Sequence, residues 1–138
     1  MPRKQEDAKK MGANNFYPTS EPDFQKLKRY FDLTINSISV KIDSNKYLKL
    51  LALDGTMVVV GLSEKDMSIC AFSLVNTRRN LAGSAISVIQ EEQEMLDFCN
   101  RHSITYDIEI MPIQKVNEAY ERVVNSDVTY GFVIDVAN

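Results

Sequence analysis

From Leu50 to Leu62 the chain reads LLALDGTMVVVGL, and the other apolar and polar positions are ordered around that stretch. Tyr47, Leu48, Leu51 and Ala52 recur at helical spacing, which predicts a helix over Asn45–Leu53 with those four side chains turned inward. Asp54-Gly55 is a turn signal, because glycine takes the left-handed conformation that closes a helix. Met57-Val58-Val59-Val60 has no polar break, so it predicts a strand covered on both faces, as in a parallel sheet. Gly61 then leaves no side chain where that strand ends. In open α/β sheets the carboxyl ends of strands are where ligands sit.

The same patterns place the other elements. Lys4–Met11 is a short charged helix with Ala8 and Met11 on one face, closed by Gly12. Asn15–Pro18 is a short strand that Pro18 ends. Ser20 is a suitable N-cap, with Glu21, Pro22 and Asp23 in the first turn of a helix carrying Phe24, Leu27 and Phe31. Asp32–Asn36 alternates and is β-branched, hence a strand. Phe72–Arg79 is a short helix, and Leu81–Val88 is a strand end with a loop. Gln90–His102 is a helix with Glu91, Glu92 and Glu94 near its amino end, which suits the helix dipole, and an apolar stripe of Met95, Leu96 and Cys99. Tyr106–Met111 alternates as a strand before Pro112. Val116, Ala119, Tyr120, Val123 and Val124 follow the helical repeat over Gln114–Val124, and Val128–Val136 is a closing strand. Strand and helix alternate throughout, which argues an α/β fold on a parallel sheet.

Composition narrows the function classes. The 138 residues are enough for one ordinary domain, and 44% hydrophobic with 25% charged residues is the balance of a globular protein. A net charge of −3 gives no electrostatic case for nucleic acid or an anionic membrane as partner. The longest apolar run falls far short of a membrane span, and no charged-then-apolar leader opens the row. Cys70 and Cys99 are too few for a disulfide framework, so a reducing, cytoplasmic setting is expected.

Several stretches together carry a resemblance. RKQEDAKKMGANNF (3–16), FDLTINSIS (31–39), YLKLLALDGTMVVVGL (47–62), AFSL (71–74), LAGSAI (81–86), EMLDFCNRH (94–102) and NEAYERV–SDV–FVIDV (117–136) come in the order and spacing of one family. The chain resembles the C-terminal part of zinc-containing medium-chain alcohol dehydrogenases of the NADP-preferring, cinnamyl-alcohol-dehydrogenase-like branch. The resemblance implies an incomplete Rossmann-type parallel sheet with helices on both faces, followed by a short β-α-β segment of the family's catalytic domain. Residues 1–104 would be the partial nucleotide-binding domain, without its first strand and Gly-rich turn. Residues 105–138 would return to the catalytic domain. The row contains no G-x-G-x-x-G and no Cys/His zinc set.

By resemblance, Arg3 and Lys4 stand where NADP-preferring members place cations that pair with the 2′-phosphate; they also read as a solvated basic terminus. Ser37 and Ile38 match the adenosine-side wall, or form an ordinary turn. Val60, Gly61 and Leu62 match the segment whose backbone lies along the nicotinamide, and also make a core strand and turn. Ser84, Ala85 and Ile86 match a strand end that touches the carboxamide, and on residue type alone form a small-residue strand. Cys70, Cys99 and His102 read as structural, and no metal site is expected from them. Two positions depart from the family: Gly131 replaces an Arg before the last strand, and Ser87-Val88 replaces Gly-Ser.

Three functions remain open on these grounds. The chain is the NADP(H)-binding part of an enzyme interconverting alcohols and aldehydes, inactive by itself; or it is a non-catalytic nucleotide-binding or protein-interaction module; or it is an unrelated flavodoxin-like domain. In the first two cases a homodimer or a complementary chain is expected to cover the exposed sheet flank.

Overall fold

The computed structural model of the chain describes residues 2–125, 127–128 and 130–136. Residues 1–86 and 87–138 form two compact units.

The first unit opens with α1 (Pro2–Lys10), which carries two lysines in its last turn. Gly12 follows with φ +94, the left-handed conformation expected of a helix-closing glycine. Residues 15–18 form no strand. In α2 (Pro22–Lys26) the N-cap is Glu21 rather than Ser20, because Pro22 with its fixed φ takes the first helical position. The helix stops well before Phe31. Arg29 turns left-handed at φ +60, and Phe31 opens β1 (Phe31–Asn36).

The expected helix over Asn45–Leu53 is divided between two elements. Here α3 spans only Ser44–Leu48, started by the Asp43 carboxylate accepting from the Asn45 N–H at 3.1 Å. Leu51 already belongs to β2 (Leu51–Val59). The inward side chains were placed correctly at Leu48 and Leu51, both fully buried, but Leu51 reaches the core from a strand. Asp54-Gly55 is accordingly not a helix-closing turn. It lies inside β2 where the register slips, since Phe31 faces Leu51 while Leu33 faces Thr56. Asp54 takes φ +62 in this bulge, and its N–H donates to the Thr77 carbonyl at 3.1 Å. Sheet pairing outweighs the local turn signal.

Next come α4 (Ala71–Val75) and β3 (Asn80–Gly83), both shorter than their patterns predicted. The sheet order is β1-β2-β3, and both pairings are parallel. Leu48, Leu51 and Met57 form one buried cluster, with Phe31, Tyr47, Ile69 and Leu74 packed against it. Phe24, Leu27 and Leu50 form a second, in which Phe24 meets Tyr47 edge to face at 5.8 Å. Arg79 is buried and bonds the Leu51 and Ser73 carbonyls at 3.2 and 2.8 Å. Burial presses its pKa down, with the Arg29 charge adding to the effect.

The second unit holds α5 (Ile89–Arg101), β4 (Glu109–Pro112), a 3₁₀ turn at Ile113–Lys115, α6 (Val116–Val124) and β5 (Phe132–Asp135). β4 and β5 pair in parallel across α6, giving the expected β-α-β segment. Thr129, within the expected closing strand, lies outside the described residues, and the strand itself starts at Phe132. Arg122 ties the segment together: it pairs with Glu109 at 2.8 Å and Asp127 at 3.4 Å, and lies 4.7 Å from the Phe132 ring centre. The α5 stripe contributes nothing to a core, for Met95 and Leu96 are exposed and the helix buries no residue.

Candidate functional site

Register brings the ends of the three strands together. Asn36 on β1 faces Val59 on β2, and Val59 faces Gly83 on β3. Beyond this line the chain leaves the sheet on the same side three times, at Ser37-Ile38, at Val60-Gly61-Leu62 and at Ser84-Ala85-Ile86.

Backbone hydrogen bonds hold this rim. The Val60 and Gly61 N–H groups both donate to the Asn36 carbonyl, at 2.9 and 3.0 Å. The Ser84 N–H donates to the Val59 carbonyl at 3.1 Å. The Ile38 N–H donates to Asn36 Oδ1 at 3.1 Å, which turns the chain over the end of β1. Gly61 lies directly against that turn: a Cβ there would be 2.6 Å from both the Ile38 oxygen and the Ser37 carbonyl carbon. Only glycine lets the two walls approach so closely. Gly83 has nothing within 4 Å of a Cβ position, so the β3 side of the rim is open.

A cleft of about 260 Å³ opens between the two walls, lined by Asn36, Ile38, Val59, Gly61 and Leu62 together with Lys41, Lys65 and Asp66 of the loops that follow β1 and β2. Val60 and Ile38 are partly exposed beside it, while Leu62 and Ile86 stand almost wholly in solvent at 89% and 94%. Ser84 and Ala85 are exposed as well. Eight of the ten sequence candidates therefore lie along or directly beyond one rim. Lys4 is instead exposed on α1, outside the rim's hydrogen bonds, and the Arg3 side chain lies outside what the structure describes. Asn36, which makes three of the four rim bonds named above, was missed by the sequence reading.

No group of three or more His, Cys, Asp or Glu able to hold a metal ion occurs among the described residues. Cys70 caps α4 and donates its N–H to Asn45 Oδ1 at 2.8 Å. Cys99 lies beside the Met95 sulfur at 3.8 Å, and the His102 ring sits 4.3 Å from that of Phe98. No helix among the described residues is long and apolar enough to cross a membrane.

Comparison with known proteins gives a consistent result. The family profile of zinc-binding dehydrogenases matches residues 1–101. NADP-dependent alcohol dehydrogenase C 1 of Mycolicibacterium smegmatis is 50% identical over 137 residues, which is 99% of this chain and 39% of that protein. A probable formaldehyde dehydrogenase of Bacillus subtilis is 45% identical over 135 residues, again 39% of its length. Among solved structures, a cinnamyl alcohol dehydrogenase from Sorghum bicolor superposes with a TM-score of 0.91 at 31% identity, covering all of this chain and 40% of that one. A cinnamyl alcohol dehydrogenase from Helicobacter pylori, complexed with NADP(H), gives 0.82 at 30% identity with the same coverage. The chain spans about two fifths of the length of the relatives it matches.

Proposed function

This chain belongs to the zinc-binding dehydrogenase family, and on that premise we propose that it is the NADP(H)-binding part of an oxidoreductase that interconverts alcohols and aldehydes. The observation that carries the proposal is the rim: three parallel strands end in register, and Gly61 packs directly on Ser37-Ile38. Crevices at the carboxyl ends of such strands take nucleotides because backbone edges and small side chains let a flat ring approach. Ser37 and Ile38 then form the adenosine side. Val60, Gly61, Leu62, Ser84, Ala85 and Ile86 line the nicotinamide side. Residues 1–104 form the nucleotide-binding part, a division supported by the profile match through residue 101, and residues 105–138 form the returning segment.

The donor sets differ in how they fit the family's two groups. Open strand ends and an accessible cleft suit the nucleotide. The lone histidine and the two cysteines do not assemble a zinc site, since no group of three or more His, Cys, Asp or Glu comes together among the described residues. No chemical step through a metal is therefore assigned to these residues.

In this scheme Lys4, with Arg3, selects NADP(H) over NAD(H) by pairing with the 2′-phosphate. A charge-assisted hydrogen bond contributes about 1.5–3 kcal/mol, which corresponds to a preference of about tenfold or more. Fluorescence titration of the chain with NADPH and NADH is expected to show that preference, and Lys4→Glu to abolish it. Equal affinities in the wild type, or an undiminished preference in Lys4→Glu, would remove Lys4 from the site.

A further inference from the structure

Asn36 is about nine-tenths buried at the point where the two walls of the cleft meet. Its carbonyl receives the Val60 and Gly61 N–H groups of one wall, and its Oδ1 receives the Ile38 N–H of the other. The amide nitrogen Nδ2 has no partner among the described residues, although the residue lines both the 260 Å³ cleft and an adjoining cavity of about 230 Å³. Among the described residues the buried side-chain atoms without a partner are Thr34 Oγ1 and Thr77 Oγ1, so Asn36 Nδ2 remains open to the cleft: its acceptor is spent on the protein, and its two N–H donors are free to bond what the cleft holds.

We propose that Asn36 contacts the bound nucleotide: its two oxygens hold the walls in register while its Nδ2 donates to an acceptor atom of NADP(H). This rests on the nucleotide-binding reading above. It adds to that reading a side-chain donor at a rim otherwise built from backbone, and it makes one residue responsible for both the shape of the cleft and its contents.

Two variants separate holding the walls from binding the nucleotide. Asn36→Asp keeps an acceptor for the Ile38 N–H but removes the donor. Asn36→Leu removes both. Thr34→Val is the control, since Thr34 lies on the same face of β1 with a buried hydroxyl that has no partner and is closed off from solvent. NADPH is titrated at pH 8, where the new carboxyl is ionised, in about 1 M salt, where a Debye length of ~3 Å screens its repulsion of the phosphates. The expected result is a Kd about three- to tenfold weaker for Asn36→Asp, the worth of one hydrogen bond, with the Ile38 amide as protected from hydrogen exchange as in the wild type. Asn36→Leu should weaken binding and speed that exchange, and Thr34→Val should do neither. Wild-type affinity in Asn36→Asp overturns the inference and leaves Asn36 as scaffold alone. A flat wild-type titration overturns the nucleotide-binding reading itself, and this inference with it.

Discussion

Gly61 shows how closely one residue can tie fold to site. With backbone atoms of Ser37 and Ile38 at 2.6 Å from where a Cβ would stand, neither neighbour can swing aside as a side-chain tip could. Gly61→Ala must push the two walls apart, breaking or stretching the bonds to the Asn36 carbonyl. The expected cost is about 1–3 kcal/mol of stability, together with weaker NADPH binding. Gly131→Ala is the contrast, because its Cβ would meet only the Tyr106 ring at 3.6 and 3.7 Å, an ordinary contact. Urea midpoints for both variants check this; equal losses, or none at Gly61, would show that the rim yields more easily than its geometry says. The close approach at Gly61 was foreshadowed in the sequence, because a glycine directly after an unbroken β-branched run leaves no side chain where the strand ends. Asn36 was not legible, since a polar residue at a strand end looks the same whether it faces water or two converging walls. What it opposes is decided by register, which residue patterns leave undetermined.

At the scale of elements, β2 and its bulge separate what local pattern can predict from what pairing decides. The sequence marked Asp54-Gly55 as a break, and a break occurs there, but the strand continues through it. The reason lies far along the chain. Arg78 clamps Asp54 with two bonds at 2.8 and 2.6 Å, and the Asn80 amide donates to the Asp54 carbonyl at 3.2 Å. Contacts more than twenty residues apart are invisible to a sliding window, whereas the alternation that gave β1, α6 and the parallel order is local and was read correctly. The clamp has a pH signature. The Arg78 guanidinium hydrogen-bonds the Asp54 carboxyl and holds its pKa below the ordinary carboxylate value, with desolvation opposing and the Arg78 charge adding to the lowering. A carboxyl with a lowered native pKa stabilises the fold above its unfolded pKa of about 4, and that contribution fades as pH falls through the native value. Both groups are well exposed, so the effect is small. Asp54→Asn keeps a residue that tolerates the left-handed backbone but removes the titration. Melting temperatures between pH 7 and pH 2 should converge for wild type and variant at the acid end, with the wild type higher at neutral pH. A constant difference across that range would show that the pair carries no linked proton.

For the whole molecule, the alternation of strands and helices gave the parallel α/β class from the sequence, but not which apolar surface remains open. Parallel strands carry apolar side chains on both faces because both faces are normally covered. Here α3 packs on β2 beside Met57, yet Leu33 and Ile35 on β1 are 57% and 68% exposed. They face the half-buried Thr56 and Val58 of β2 in register, so the open surface continues from β1 onto the neighbouring strand as a strip. Among the described residues β1 and β3 each pair on one side only, leaving free N–H and C=O groups along the sheet flanks. Contiguous apolar surface next to an unpaired edge favours association with a second copy or a complementary chain. The 138-residue chain is therefore expected to show concentration-dependent association in light scattering and to bind a dye specific for apolar surface. Association driven by apolar burial should persist or strengthen in about 1 M salt, where charge pairing is screened. Ile35→Lys places a charge on the exposed strip at a position that contributes little to the core, so it should reduce association and dye binding while leaving the circular dichroism spectrum unchanged. A monodisperse wild-type monomer at tens of micromolar with no dye response would show that the strip is not an interface. Association unaffected by Ile35→Lys would move the interface to another surface of the chain.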